Sequence, residues 1–176
     1  MRMENYYSQI SGWLNASGNS LVDMLPADSG ICRIVSVEPE KYWTGYVSTG
    51  EGSFKHSGDA GNWYATSFGV SFAEVKPTVA PIYEHSRLRE ATPVWNMNKL
   101  PEPFLTAIYD DRNLVTGQFC KSQFIIECLQ ALDLWNNASG IYFPSRRASG
   151  GVVILNPQAI NLEILYTGQS PPTGLI

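Results

Sequence analysis

The sequence predicts a single α+β domain, a mixed or antiparallel β-core with flanking helices. Three observations lead there. The chain has 176 residues, 44% of them hydrophobic and 16% charged, enough for one sizeable core and too apolar for a disordered chain. Short β-branched runs stand near both ends, "ICRIVSV" (31–37) and "GVVILNP" (151–157). Between them "SQFIIECLQALDLW" (122–135) carries apolar residues at helical spacing. Strands, then helices, then strands fit a mixed domain better than a wound parallel sheet.

Taken in order, residues 5–24 form a helical N-terminal segment, weakened by Gly12 and Gly18. "ICRIVSV" is a strand whose single charge is Arg33. Residues 45–62 are glycine-rich and polar and form a long loop. "WYATS" (63–67) is a second strand, and "FGVSFAEV" (68–75) is a short helix or a third strand that Pro77 and Pro81 stop. "RLREATPVWNMN" (87–98) is extended. In the best helix, 122–135, Phe124, Cys128, Leu132 and Trp135 share a face that Ile125 and Leu129 widen. "GIYFPS" (140–145), "GVVILNP" and "INLEILYTG" (160–168) are three more strands, and "QSPPTGLI" is a loose tail. The expected units are a helical segment 1–30, a domain over 31–168 and a tail 169–176.

The formal charge is −4, with tight basic clusters only at Arg87/Arg89 and Arg146/Arg147, which argues against a nucleic-acid binder. No apolar run is long enough to span a bilayer, and the opening "MRMENYYSQISGW" lacks the apolar core of a signal peptide. Cys32, Cys120 and Cys128 have no metal-type spacing. On one helix Cys120 and Cys128 lie roughly 12 Å apart, too far for a disulfide. Three reduced thiols in a cytoplasmic protein, or in one delivered into the cytoplasm of a target cell, are expected.

Arg33, inside an apolar strand, needs a carboxylate, carbonyls or a phosphate. It is either half of a structural ion pair or a fork for a ligand phosphate. Glu74 is the one carboxylate among Val70, Phe72, Ala73 and Val75, just after Trp63 and Tyr64. It is either an ordinary exposed charge or a group that accepts from ribose hydroxyls and stabilises an oxocarbenium-like transition state, with the aromatics facing a flat ring. In "YFPSRRASGG" (142–151) Ser145 either satisfies backbone groups of a hairpin loop or meets a ligand, with Arg146 or Arg147 nearby. No histidine is placed to make it a nucleophile. His56, His85, Asp59 and Glu84 stand in no spaced metal motif, so no metal is expected. "STGEGS" (48–53) lacks the lysine of a phosphate loop.

Three pieces line up in order: the Arg of "CRIV", the block "WYATSFGVSFAEV" ending at Glu74 and Val75, and "GIYFPSRRASGGVVILNP" with Ser145. Together they resemble the RES domain family, the toxin half of RES–Xre toxin–antitoxin systems, over roughly residues 31–157. The resemblance implies a small split β-core around an NAD cleft, similar to ADP-ribosyltransferase toxins. It implies cleavage of the nicotinamide–ribose bond of NAD, with water or inorganic phosphate as acceptor, and an NAD glycohydrolase or NAD phosphorylase activity. Arg33 would hold phosphate, Tyr64 and Trp63 would line the nicotinamide side, Glu74 would engage the ribose and the developing cation, and Ser145 would position the ribose or the amide. Arg146 would add an anion contact. Where many members carry a second arginine this chain has "GSFKHSG", so Lys55 would take that contact as a point charge. NAD enters as substrate, with no other cofactor, and a cognate antitoxin or immunity protein is the expected partner. Two alternatives stay open: a protein mono-ADP-ribosyltransferase, against which Phe72 stands where many carry a second acid, and an inactive NAD- or partner-binding module.

Overall fold

The computed structural model of the chain describes residues 7–36, 62–74, 81–109, 121–145, 148–156 and 158–172. Among them the strands are β1 (Val22–Leu25), β2 (Gly30–Ser36), β3 (Asn62–Ala65), β4 (Pro81–Leu88), β5 (Thr92–Asn96), β6 (Gly140–Pro144), β7 (Gly151–Leu155) and β8 (Leu162–Gly168). They form one eight-stranded sheet in the order β1-β5-β6-β7-β3-β2-β4-β8. The α-helices are α1 (Tyr7–Ser17), α2 (Phe68–Glu74), α3 (Glu102–Tyr109) and α4 (Lys121–Ala131). The pair β5–β6 is parallel and the other pairs are antiparallel. A parallel pair needs a long crossover, and the chain from β5 to β6 supplies it through α3 and α4.

The domain is α+β as the sequence predicts. Its described strands make one continuous sheet instead of a small split core. The thinnest junction is β2–β3, registered through the single pair Cys32↔Ala65.

Alternation along the strands gives the sheet two different faces. One is covered by helices: Cys32, Ile34, Trp63, Ala65, Trp95, Ile141, Phe143, Val152 and Ile154 join Ile10 and Leu14 of α1 and Ile125, Ile126, Cys128 and Leu129 of α4 in the main core. The other holds a smaller cluster of Ile31, Tyr64, Leu88, Val94, Val153 and Leu155. β7 is apolar on both faces and buried along its whole length, as a central strand requires.

Several expected boundaries move. The N-terminal helix ends at Ser17, where Gly18 takes the left-handed φ of +53° that closes helices, and a 3₁₀ turn follows. Residues 22–25 are then strand β1, paired with β5, so the segment 1–30 is not purely helical and belongs to the sheet. Pro81 does not simply stop the preceding segment. It opens β4, a first-residue position that proline tolerates. The extended stretch 87–98 is the end of β4, a bend and β5. Helix α3 is an addition; it starts after Pro101, whose carbonyl accepts from Leu105 N–H at 2.9 Å. Helix α4 stops four residues before Trp135. Asp133 adopts φ 59°, while Leu134 N–H reaches the Leu129 carbonyl and Asp133 N–H the Gln130 carbonyl, the paired bonds of a Schellman cap. Of the expected tail, residues 169–172 are described, and the Tyr166 hydroxyl donates to the Ser170 carbonyl.

Candidate functional site

The register of β4, β2 and β3 sets a polar row across the face opposite the helix-covered one. Arg33 stands opposite Glu84. Because Cys32 pairs with Ala65, Arg33 also lies across from Tyr64. The side chains meet as this register requires. Arg33 Nε donates to Glu84 Oε2 in a short ion pair, and the guanidinium carbon lies 5.0 Å from the Tyr64 ring centroid. All three residues are buried, Arg33 at 9% and Tyr64 and Glu84 at 4% exposure, so the charges meet in a low-dielectric setting where pairing is obligatory. The row runs on through Val153 to Tyr142 on β6, whose half-buried hydroxyl burial pushes above the ordinary tyrosine range.

The other two motif blocks adjoin this row. β3 pairs with β7, and β7 with β6, so a single strand separates the chain around Trp63 from the strand that ends beside Ser145. At the sheet end where β3 stops, Thr66 N–H donates to the Gly151 carbonyl at 3.0 Å, and Thr66 Oγ1 accepts from Gly151 N–H at 3.1 Å. Gly150, at φ +115°, lies so near that a Cβ there would sit 2.4 Å from Thr66 Oγ1 and 3.1 Å from Val70 Cγ2. Only glycine lets the β6–β7 loop press on the turn that starts α2. Ser67 caps that helix, its hydroxyl accepting from Val70 N–H at 3.2 Å.

Ser145 closes the β6–β7 loop. Its N–H donates to the Gly150 carbonyl at 2.9 Å, and its Oγ accepts from Ala148 N–H at 3.3 Å. The hydroxyl therefore does satisfy loop backbone, whatever else it meets. Glu74 is the last residue of α2. That helix buries Phe68 and Val70 in the main core, its Ser71 hydroxyl lies 3.5 Å from the Cys32 carbonyl, and Phe68 meets Tyr83 edge-on at 5.9 Å. It thus packs on the face opposite Arg33 and Tyr64, and the Glu74 side chain at its end lies outside the described ones.

Trp63 needs a correction. It is fully buried in the helix-covered core, whereas Tyr64 points to the other face, because successive strand residues point oppositely. The two aromatics do not line one surface. Lys55 and Arg146 lie outside the described residues, as do Arg147, His56, Asp59 and Cys120.

Cys32 and Cys128 are free and buried. Burial pushes both thiols up to about 11, against a backbone hydrogen bond from Phe68 at Cys32 and with help from the Glu127 charge at Cys128. Neither is a thiolate nucleophile at neutral pH. His85 is held below its ordinary value by burial and points away from its chain neighbour Glu84. Among the described residues no group of three or more His, Cys, Asp or Glu side chains gathers as metal donors, and no helix is long and apolar enough to cross a membrane.

Glu84 is the residue that sequence reasoning weighed only as a weak metal ligand. Arg33 called for a carboxylate, but "PIYEHSRL" (81–88) does not alternate in a way that singles out Glu84. Comparison of the chain with protein-family models, with curated proteins and with solved structures gives no match.

Proposed function

We propose that the chain is an NAD-consuming enzyme that breaks the nicotinamide–ribose bond and acts as a toxin held in check by a cognate partner. One observation supports this reading. The three sequence blocks around Arg33, Tyr64–Glu74 and Ser145, scattered over more than a hundred residues, occupy neighbouring strands β2, β3, β7 and β6. Two of them meet at one end of the sheet.

Arg33, aligned by Glu84 and lying over Tyr64, is the contact for the pyrophosphate or ribose phosphate. Tyr64 offers an apolar ring face beside it. Ser145, held by the loop backbone, positions the ribose or the amide. Glu74 supplies the negative charge for the cation that develops as the glycosidic bond breaks. The bonding pair leaves with nicotinamide, and water or phosphate then adds to the ribose carbon, giving ADP-ribose and a proton or the phosphorylated sugar. Hydrolysis with optional phosphorolysis is the favoured outcome.

A second reading has its own support. The buried Arg33–Glu84 pair is also what a purely structural arginine would form, which favours an inactive binding module.

Purified protein incubated with NAD, with and without phosphate, separates the two by release of nicotinamide and identity of the sugar product. Glu74→Gln should cost about 10²–10³-fold in rate with the melting temperature unchanged. Wild-type turnover in that variant would remove Glu74 from the mechanism. Absence of nicotinamide release from the wild type would leave the binding module.

A further inference from the structure

We infer that Glu84 is a positioning residue for ligand binding, acting through Arg33; the inference rests on the reading of Arg33 as the phosphate contact. A bare arginine on a strand samples many rotamers, and each must be given up when an anion binds. Here the guanidinium is constrained from two directions. Glu84, directly opposite on β4, takes Nε, and the guanidinium carbon lies over the Tyr64 ring of the other neighbouring strand, 5.0 Å from its centroid. Glu84 acts through the arginine to which its Oε2 is bonded, and not on the ligand directly.

A residue of this kind affects binding more than chemistry. The phosphate contact is made equally in ground and transition states, so its loss raises KM and leaves kcat nearly alone. A merely structural residue behaves differently: its loss lowers the folded fraction, hence the apparent kcat, and leaves KM unchanged.

The experiment is steady-state NAD cleavage, with calorimetric affinity for ADP-ribose and melting temperature measured alongside. The wild type is compared with Glu84→Gln, Glu84→Ala, Arg33→Ala and the double Arg33→Ala/Glu84→Ala. Glu84→Ala should raise KM and the ADP-ribose Kd about tenfold, with kcat changed less than about threefold. Glu84→Gln keeps an acceptor oxygen for Nε and should recover most of that loss. In the Arg33→Ala background Glu84→Ala should weaken ADP-ribose no further, since its effect passes through the arginine. Should Glu84→Ala fail to fold, the same comparisons are made with Glu84→Gln, for which an increase in KM of a few-fold is expected. A fall in kcat at constant KM, or losses that multiply in the double variant, would overturn the inference while leaving NAD cleavage standing. A wild type that neither releases nicotinamide nor binds ADP-ribose would overturn the underlying reading and the inference with it.

Discussion

Trp63 and Tyr64 are chain neighbours that belong to different worlds. Trp63 faces helices and is packed among Cys32, Ile34, Ile154 and the residues of α1 and α4. Tyr64 faces the other way, into a row with Arg33 and Glu84. The helix-covered face is held mainly by apolar burial, tolerant of which hydrophobe sits where provided that volume is kept. The opposite face carries a buried ion pair, which contributes little net stability but permits one arrangement of partners. One face thus supplies the stability, and the other fixes a single arrangement of charged partners.

Substitutions can break this contrast. The largest effect is expected from Trp63→Ala, which empties a fully buried site and should cost about 4 kcal/mol by urea unfolding. Next is Arg33→Met, which leaves Glu84 buried opposite an apolar side chain and should cost about 3 kcal/mol. The double variant Arg33→Met/Glu84→Leu should recover to within about 1 kcal/mol of wild type, because apolar replacement of a whole buried pair is near neutral. Its NAD turnover sharpens the comparison: a stable, inactive double variant means that the pair serves the ligand, and a stable, active one means that it only fills the sheet.

A smaller effect is expected at Gly151. A Cβ there would sit 2.4 Å from the Tyr142 ring, which is half-buried and can swing aside. Gly151→Ala should therefore cost about 1 kcal/mol, at the low end of the range for overpacking, with a changed tyrosine fluorescence or NMR signal from the displaced ring.

The smallest lies at the β1 edge. Asp23 accepts from Asn96 Nδ2 at 2.7 Å and from Lys99 Nζ at 2.9 Å, and these bonds hold its carboxyl below the ordinary 3.8. A depressed folded-state value contributes stability that is fully present above the unfolded value of 3.8 and is lost as pH falls through the lower folded one. Asp23 and Lys99 are both well exposed, so screening keeps the contribution small. Acid titration of stability should show a slight loss below pH 3.8 that Asp23→Asn abolishes.

Much of the helix-covered face was legible because periodicity is local. The stripe of α4 and the runs that became β2, β6 and β7 can be read within a dozen residues. The polar row was not, because it is written across three strands. Arg33 announced its need for a carboxylate, but nothing local says that residue 84 supplies one; that depends on the β2–β4 register. β1 was missed because "VDML" is short, follows a helix directly and alternates only once. The likeness of Trp63 to Tyr64 in composition hid their separation, which the period of two would have revealed once residues 62–65 were taken as strand.

The position of β7 has a consequence for the making of the protein. Without it, β1, β5 and β6 form one three-stranded piece and β3, β2 and β4 another. Among the described strands β7 alone joins them, pairing with β6 on one side and β3 on the other. A ribosome has therefore made both pieces before it makes the strand that unites them. Until Leu155 is added, a nascent chain carries two open sheet edges at its centre, where "VVIL" will later be buried. Such edges invite strand pairing with other chains, so nascent chains are at their most vulnerable to aggregation and proteolysis just before β7 emerges. A polypeptide that stops short of β7 has no strand to join its two pieces, and hence the loop at Ser145 is not closed against the turn at Thr66.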